Sequence, residues 1–129
     1  MEKDFDKWNI LKKRLDERKS IPTFKQREIW WCRLGLNIGD EENGKNEEYH
    51  RPVLVIKKFN NRIFLGVPLT TQIKEKHYYH KITFREKKQC VMLSQFRILD
   101  SKRLDRKIGQ LLRSEHEAVK KALSNLILG

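Results

Sequence analysis

The chain has 129 residues, enough for one domain with a short appendage. Its 29 Lys and Arg against 17 Asp and Glu give a formal net charge of +12, which favours an anionic partner, nucleic acid first and an acidic protein segment second. No apolar stretch reaches membrane-spanning length, the N-terminus alternates acids and bases instead of opening a signal segment, and Cys32 and Cys90 lack metal-ligand spacing, so the expectation is a soluble cytoplasmic protein with buried free thiols and no membrane partner, metal or cofactor.

Residues 4–18 place Phe5, Trp8, Leu11 and Leu15 at helical spacing, with Asp4 as N-cap and Lys12, Lys13 and Arg14 turned outward. Ser20-Ile21-Pro22 ends this helix, because proline disfavours helix in the residue before it. Residues 1–26 are therefore read as an amphipathic helix and linker, docked on the core or on a partner, and residues 27–129 as the main domain. Glu28 to Leu34 is a first strand, in which Trp30 and Trp31 divide between core and surface. Gly35 to His50, with three asparagines and five acidic residues, is a long loop of the kind that is usually functional or disordered.

Residues 52–58 form a second strand, and its unbroken apolar run Val53-Leu54-Val55-Ile56 predicts a central position buried on both faces. Asn60-Asn61 is read as a tight turn into a third strand, Ile63 to Leu69. His77 to Phe84 and Cys90 to Ile98 are two more strands, joined by a charged turn, Arg85 to Lys88. Ser101 to Lys107 reads as one helical turn and Ile108 to Leu111 as a short edge strand. Ser114 with Glu117 makes a capping box for a terminal helix with Val119, Leu123, Leu126 and Ile127 as its apolar stripe and His116 solvated. The fold class that follows is α+β: a small β-barrel of five to six mostly antiparallel strands, with a C-terminal helix and an extra N-terminal one.

If the second and third strands pair as a hairpin, Arg51 at the start of one lies beside Thr70 at the end of the other. A guanidinium next to a hydroxyl on a basic surface suits a phosphodiester substrate. Each residue also has a plainer role, a surface ion pair for Arg51 and strand-end capping for Thr70.

In order along the chain, Ile29-Trp30-Trp31, Gly39 with Glu41, Arg51-Pro52-Val53-Leu54-Val55, Val67-Pro68-Leu69-Thr70-Thr71-Gln72, Leu93-Ser94-Gln95-Phe96-Arg97-Ile98-Leu99-Asp100 and Lys107-Ile108-Gly109 resemble the MazF/PemK family of toxins from bacterial toxin–antitoxin modules. The likeness runs from about Glu28 to Ile127. It implies an SH3-like barrel, a homodimer, and a sequence-selective, metal-independent endoribonuclease acting on single-stranded RNA. It also implies inhibition by an acidic antitoxin, with operator DNA bound only by the toxin–antitoxin complex. The family's functional arginine and threonine fall on Arg51 and Thr70, a loop acid on Glu41, and a lesser contributor on Gln95. Related barrels act without catalysis by seizing an essential protein such as DNA gyrase, and a basic nucleic-acid-binding module is the further alternative. The chain departs from the pattern at Asp40, where many relatives have serine, in the longer loop from Gly44 to Arg51, and in the N-terminal helix.

Metal-free cleavage of RNA by its own 2′-hydroxyl needs a base for that hydroxyl, charge stabilisation at phosphorus and an acid for the departing oxygen. Arg51 suits the second task, and Thr70 can donate one hydrogen bond to a phosphate oxygen. Glu41 is the first candidate for the base, with a solvated loop acid as its alternative. His50 titrates in the useful range but precedes Arg51 on a strand, where neighbours face opposite ways. Thr71, Gln72, Lys74, Lys76 and Lys57 are candidate RNA contacts around the sheet ends, and Tyr78 and Tyr79 are a possible stacking face.

Overall fold

The computed structural model describes residues 3–35 and 50–129. Among them are helix α1 (Phe5–Asp16), strands β1 (Glu28–Arg33), β2 (His50–Lys58), β3 (Ile63–Thr70), β4 (Tyr79–Phe84), β5 (Lys87–Met92), β6 (Arg97–Asp100) and β7 (Leu104–Gln110), and helix α2 (Arg113–Leu128). The seven strands form one antiparallel sheet in the order β4-β5-β3-β2-β1-β7, with β6 on β3 beside β5. The sheet curls into the expected SH3-like barrel, with seven strands where five or six were expected. Its two outer strands approach through side chains: Arg85 of the β4–β5 turn donates to the Ile108 carbonyl on β7. Gly109 makes this approach possible, since a Cβ there would lie 2.7 Å from the Phe84 ring.

Strand β2 is central and buried on both faces, as its apolar run predicts. Leu54 and Ile56 enter one core with Ile29, Val67, Leu69, Val91 and the α2 residues Val119 and Leu123. Val53 and Val55 enter a second with Trp30, Cys32, Phe64, Leu99 and Leu104. Phe24, from the segment read as linker, is fully buried in that second core. Cys32 and Cys90 are buried free thiols. Burial pushes the Cys32 thiol up to about 12, so it carries no thiolate at neutral pH.

Four local expectations are corrected. The strand read over Cys90–Ile98 is broken by a 3₁₀ turn at Leu93–Gln95, closed by Phe96 N–H to the Leu93 carbonyl. This corner lets β5 pair with the end of β3 while β6 pairs with its beginning. The β4–β5 turn is only Arg85-Glu86, both with positive φ (52° and 62°), the type I′ geometry that matches strand twist; Lys87 and Lys88 belong to β5. Asn60-Asn61 is not a two-residue turn, for Phe59 also lies outside the strands and Asn60 Oδ1 accepts from the Arg62 and Ile63 N–H groups. Ser101–Arg103 is a 3₁₀ turn and the residues after it extend as β7, a seven-residue strand on β1.

The capping box is absent as well. Helix α2 starts two residues early, with Leu112 at its N-cap and no side-chain cap. The start is set by Leu111, which is buried and whose N–H donates to the Arg27 carbonyl. That anchor turns His116 inward, so it is buried, not solvated. Of the predicted α2 stripe, Ile127 is exposed.

Asp4 caps α1 as expected, accepting from the Lys7 N–H. The helix docks on the core through Trp8, while Phe5 is exposed and Leu11 and Leu15 are half-buried. The Trp8 ring occupies the space over Gly35, whose φ of +77° and missing Cβ both suit the approach. Arg18 then donates to the Lys102 and Leu104 carbonyls, and Lys102 Nζ to the Asp16 carbonyl, so the end of α1 is tied to the start of β7. No helix among the described residues is long and apolar enough to cross a membrane.

Candidate functional site

The β2–β3 register pairs Val53 with Pro68 and Leu54 with Val67; continued by two residues, it sets Arg51 opposite Thr70. Both line a cleft of about 270 Å³ with Trp31, His50, Pro52, Leu69, Thr71 and Gln89. The cleft forms where β1 ends, β2 begins, β3 ends and β5 passes beside Thr70, which pairs with Cys90.

Arg51 is nearly buried, and its Nη1 donates to the Leu69 carbonyl at 3.1 Å. That bond fixes the orientation of the planar guanidinium at the cleft wall, a pre-organisation a lysine cannot supply. Thr70 Oγ1 accepts from the Gln72 N–H at 3.2 Å, so the capping role is real. A hydroxyl that accepts still has its own proton, so this bond leaves the Thr70 O–H able to donate to another acceptor.

His50 shares the cleft with Arg51 although the two are strand neighbours. Its Nε2 lies 3.0 Å from Asp105 Oδ2 of β7, whose other oxygen is 3.2 Å from Arg33 Nη1. The ring also packs against Trp31, with centroids 5.7 Å apart. A carboxylate and an indole thus hold the imidazole in one orientation beside the guanidinium.

The remaining predicted residues are dispersed. Glu41 lies outside the described residues. Thr71 lines the cleft and Gln72 borders it through its bond to Thr70. Lys74 and Lys76 are exposed, each ammonium over an aromatic ring, Tyr79 at 5.4 Å and Tyr78 at 5.8 Å. Gln95, half-buried on the 3₁₀ turn, is not among the cleft-lining residues. Lys57 sits at the far end of β2, roughly 20 Å from Arg51 at about 3.3 Å per residue. Sequence reasoning missed Gln89, Arg33 and Asp105. Alternation against the buried Cys90 is the one signal for Gln89. Asp105 gave none, because its segment reads as helical.

No curated protein matches the chain in sequence. Solved structures do match its fold. "Mycobacterium tuberculosis toxin MazF-mt6" is 19% identical with a TM-score of 0.59, covering 78% of this chain and 96% of that one. MazF from Deinococcus radiodurans is 16% identical with a TM-score of 0.64, over 84% of this chain and 98% of that one. An endoribonuclease from a mycobacterial species, in complex with its cognate antitoxin, is 16% identical with a TM-score of 0.62, over 84% and 97%. At these identities the likeness speaks for the fold. The family described as PemK-like, MazF-like toxin of type II toxin-antitoxin system matches residues 25–127, nearly all of the barrel and α2, and the chain therefore belongs to that toxin family.

Proposed function

We propose that this chain is a cytoplasmic toxin that cuts single-stranded RNA, chiefly mRNA, at selected sequences and without a metal ion. The single observation that carries the reading is the meeting of Arg51 and Thr70 in one cleft at the open end of the β2–β3 hairpin. In this mechanism Arg51 clamps the scissile phosphate and stabilises the charge that grows on its oxygens, and Thr70 donates a hydrogen bond to one of them. The RNA 2′-hydroxyl attacks phosphorus, the P–O5′ bond breaks, and the products end in a 2′,3′-cyclic phosphate and a 5′-hydroxyl. Glu41 is the proposed base. His50, oriented by Asp105 in the same cleft, is a second candidate for a proton-transfer role. Exposed Lys74 and Lys76, with Thr71 and Gln72, take the strand beyond the cut, and Gln95 and Lys57 are more distant contacts.

A homodimer is part of this reading, as is inhibition by an acidic antitoxin that competes for the cationic cleft; operator DNA is bound only by the toxin–antitoxin complex. The mycobacterial endoribonuclease and the MazE–MazF pair from Deinococcus radiodurans, both solved as complexes, support a partner of this class.

The test is incubation of purified protein with mixed-sequence single-stranded RNA in EDTA. Discrete cuts with cyclic-phosphate ends are expected. Intact RNA combined with growth arrest on expression would favour protein sequestration, as of DNA gyrase. Salt-dependent binding without cuts or arrest would favour a plain nucleic-acid-binding module.

A further inference from the structure

A second basic cleft lies at the opposite end of β2 from Arg51, between the β2–β3 turn and the start of α2. It is larger, about 630 Å³, and its lining includes Lys25, Arg27, Phe59, Arg113 and Lys120, with His116 below them. Among its lining residues Glu117 is the sole carboxylate, 3.4 Å from Lys120 Nζ. The seven residue steps from Arg51 to Lys58 separate the two clefts by roughly 23 Å, at about 3.3 Å per residue.

Three features set this cleft apart from a merely solvated basic surface. Phe59 is 52% exposed at its rim, an aromatic face next to cations. Arg27 has a φ of +73°, a conformation that arginine rarely adopts and that persists only where the surrounding structure holds it. Its N–H to the Val55 carbonyl and its carbonyl to the Leu111 N–H hold it there, so the side chain leaves the backbone at the cleft on a pinned stem. Finally, the cleft floor is firm: His116 is 2% exposed, and burial holds its pKa below the ordinary histidine value against the opposing pull of the Ile56 carbonyl, so the ring packs neutral under the cations.

A positive groove interleaved with an exposed aromatic is the chemistry that holds single-stranded nucleic acid: phosphates meet the cations and a base stacks on the ring. An acidic peptide would use the cations but gain little from Phe59. We propose that this cleft is a second binding site for single-stranded RNA, gripping phosphates with Arg27, Arg113 and neighbouring lysines and stacking one base on Phe59. RNA as the nucleic acid rests on the function proposed above; the strand would be held well away from the scissile phosphate.

The experiment is fluorescence anisotropy with a long, mixed-sequence, fully 2′-O-methylated oligoribonucleotide, which binds but cannot be cut through its 2′-hydroxyl. Arg27→Glu/Arg113→Glu should weaken binding and flatten the plot of log K against log salt by about 1.4, roughly 0.7 for each phosphate that is no longer neutralised. Phe59→Ala should weaken binding about tenfold, and Phe59→Trp should retain it. Lys12→Glu/Lys13→Glu on α1 carries the same charge change and should leave the salt slope near that of the wild type. Circular dichroism and the melting midpoint separate these effects from unfolding. The proposal is overturned if Phe59→Ala binds as the wild type does, if the α1 control flattens the slope equally, or if a polyglutamate peptide binds this cleft while RNA affinity ignores the variants. A wild type that binds RNA through the cleft but never cuts the unmodified strand keeps the proposal and removes the nuclease. A wild type that cuts while every cleft variant binds normally removes the cleft alone.

Discussion

Replacing Arg51 with alanine is expected to lower the cleavage rate by about 10²–10³-fold, the usual cost of losing one pre-organised group that stabilises transition-state charge. The guanidinium lines the cleft beside Thr70, and its bond to the Leu69 carbonyl fixes where it points. Arg51→Lys keeps the charge but loses the planar fork, so it should recover only a minor part of the activity. The same bond predicts a structural cost, because alanine leaves a buried carbonyl short of its donor, worth about 1–3 kcal/mol. Thr70→Val, which removes a hydroxyl with only one backbone partner among the described residues, should unfold the protein less while still reducing the rate. Single-turnover cleavage together with urea denaturation separates the two costs. Equal rates for Arg51→Ala and wild type, measured under conditions where both are folded, would contradict the role assigned to the guanidinium.

Glu28→Ala is expected to be the most destabilising change at a polar position, by about 2–3 kcal/mol. The carboxylate is buried at the start of β1 and accepts from the Lys25 N–H at 2.7 Å and the Trp30 indole at 3.1 Å, while Lys107 Nζ lies 2.8 Å from its other oxygen. Burial alone would raise its pKa. The bonds from Lys107, Lys25 and Trp30 outweigh that and hold it below the ordinary carboxylate range. The lysine is half exposed, so the two N–H donors that alanine would strand account for most of the expected loss. A depressed pKa in the folded state means that the unfolded chain takes up the proton first as pH falls. This contribution is therefore fully present above the unfolded pKa of about 4.3 and is lost as pH falls through the lower folded value. Urea unfolding across that window should show a shallower decline for Glu28→Ala than for wild type; parallel curves would rule the carboxylate out as the source.

The apolar run of β2 and the alternation of the two tryptophans were legible because burial writes itself into strand periodicity. So was the hairpin that brings Arg51 to Thr70, since it follows from adjacent strands with a short turn. Contacts between residues distant in the chain were not legible. Asp105 reaches His50 across β1, and nothing in the local pattern around Asp105 announces a strand, let alone its register. The break at Leu93–Gln95 carries no glycine or proline to mark it. It exists because two successive strands share one edge of β3, a demand of the whole barrel. His116 was misplaced for a related reason: the hydroxyl at Ser114 suggested the helix start, whereas the buried Leu111 determines it.

In the proposed mechanism the RNA supplies its own nucleophile while Arg51 and Thr70 hold the phosphate. The most direct test uses two oligonucleotides of one cleavable sequence, differing only by a 2′-deoxy substitution at the scissile nucleotide, with products resolved by mass. The all-ribose strand is expected to be cut to a 2′,3′-cyclic phosphate and the deoxy-substituted strand to stay intact. Cleavage of both at similar rates, with water in place of the missing hydroxyl, would contradict this mechanism.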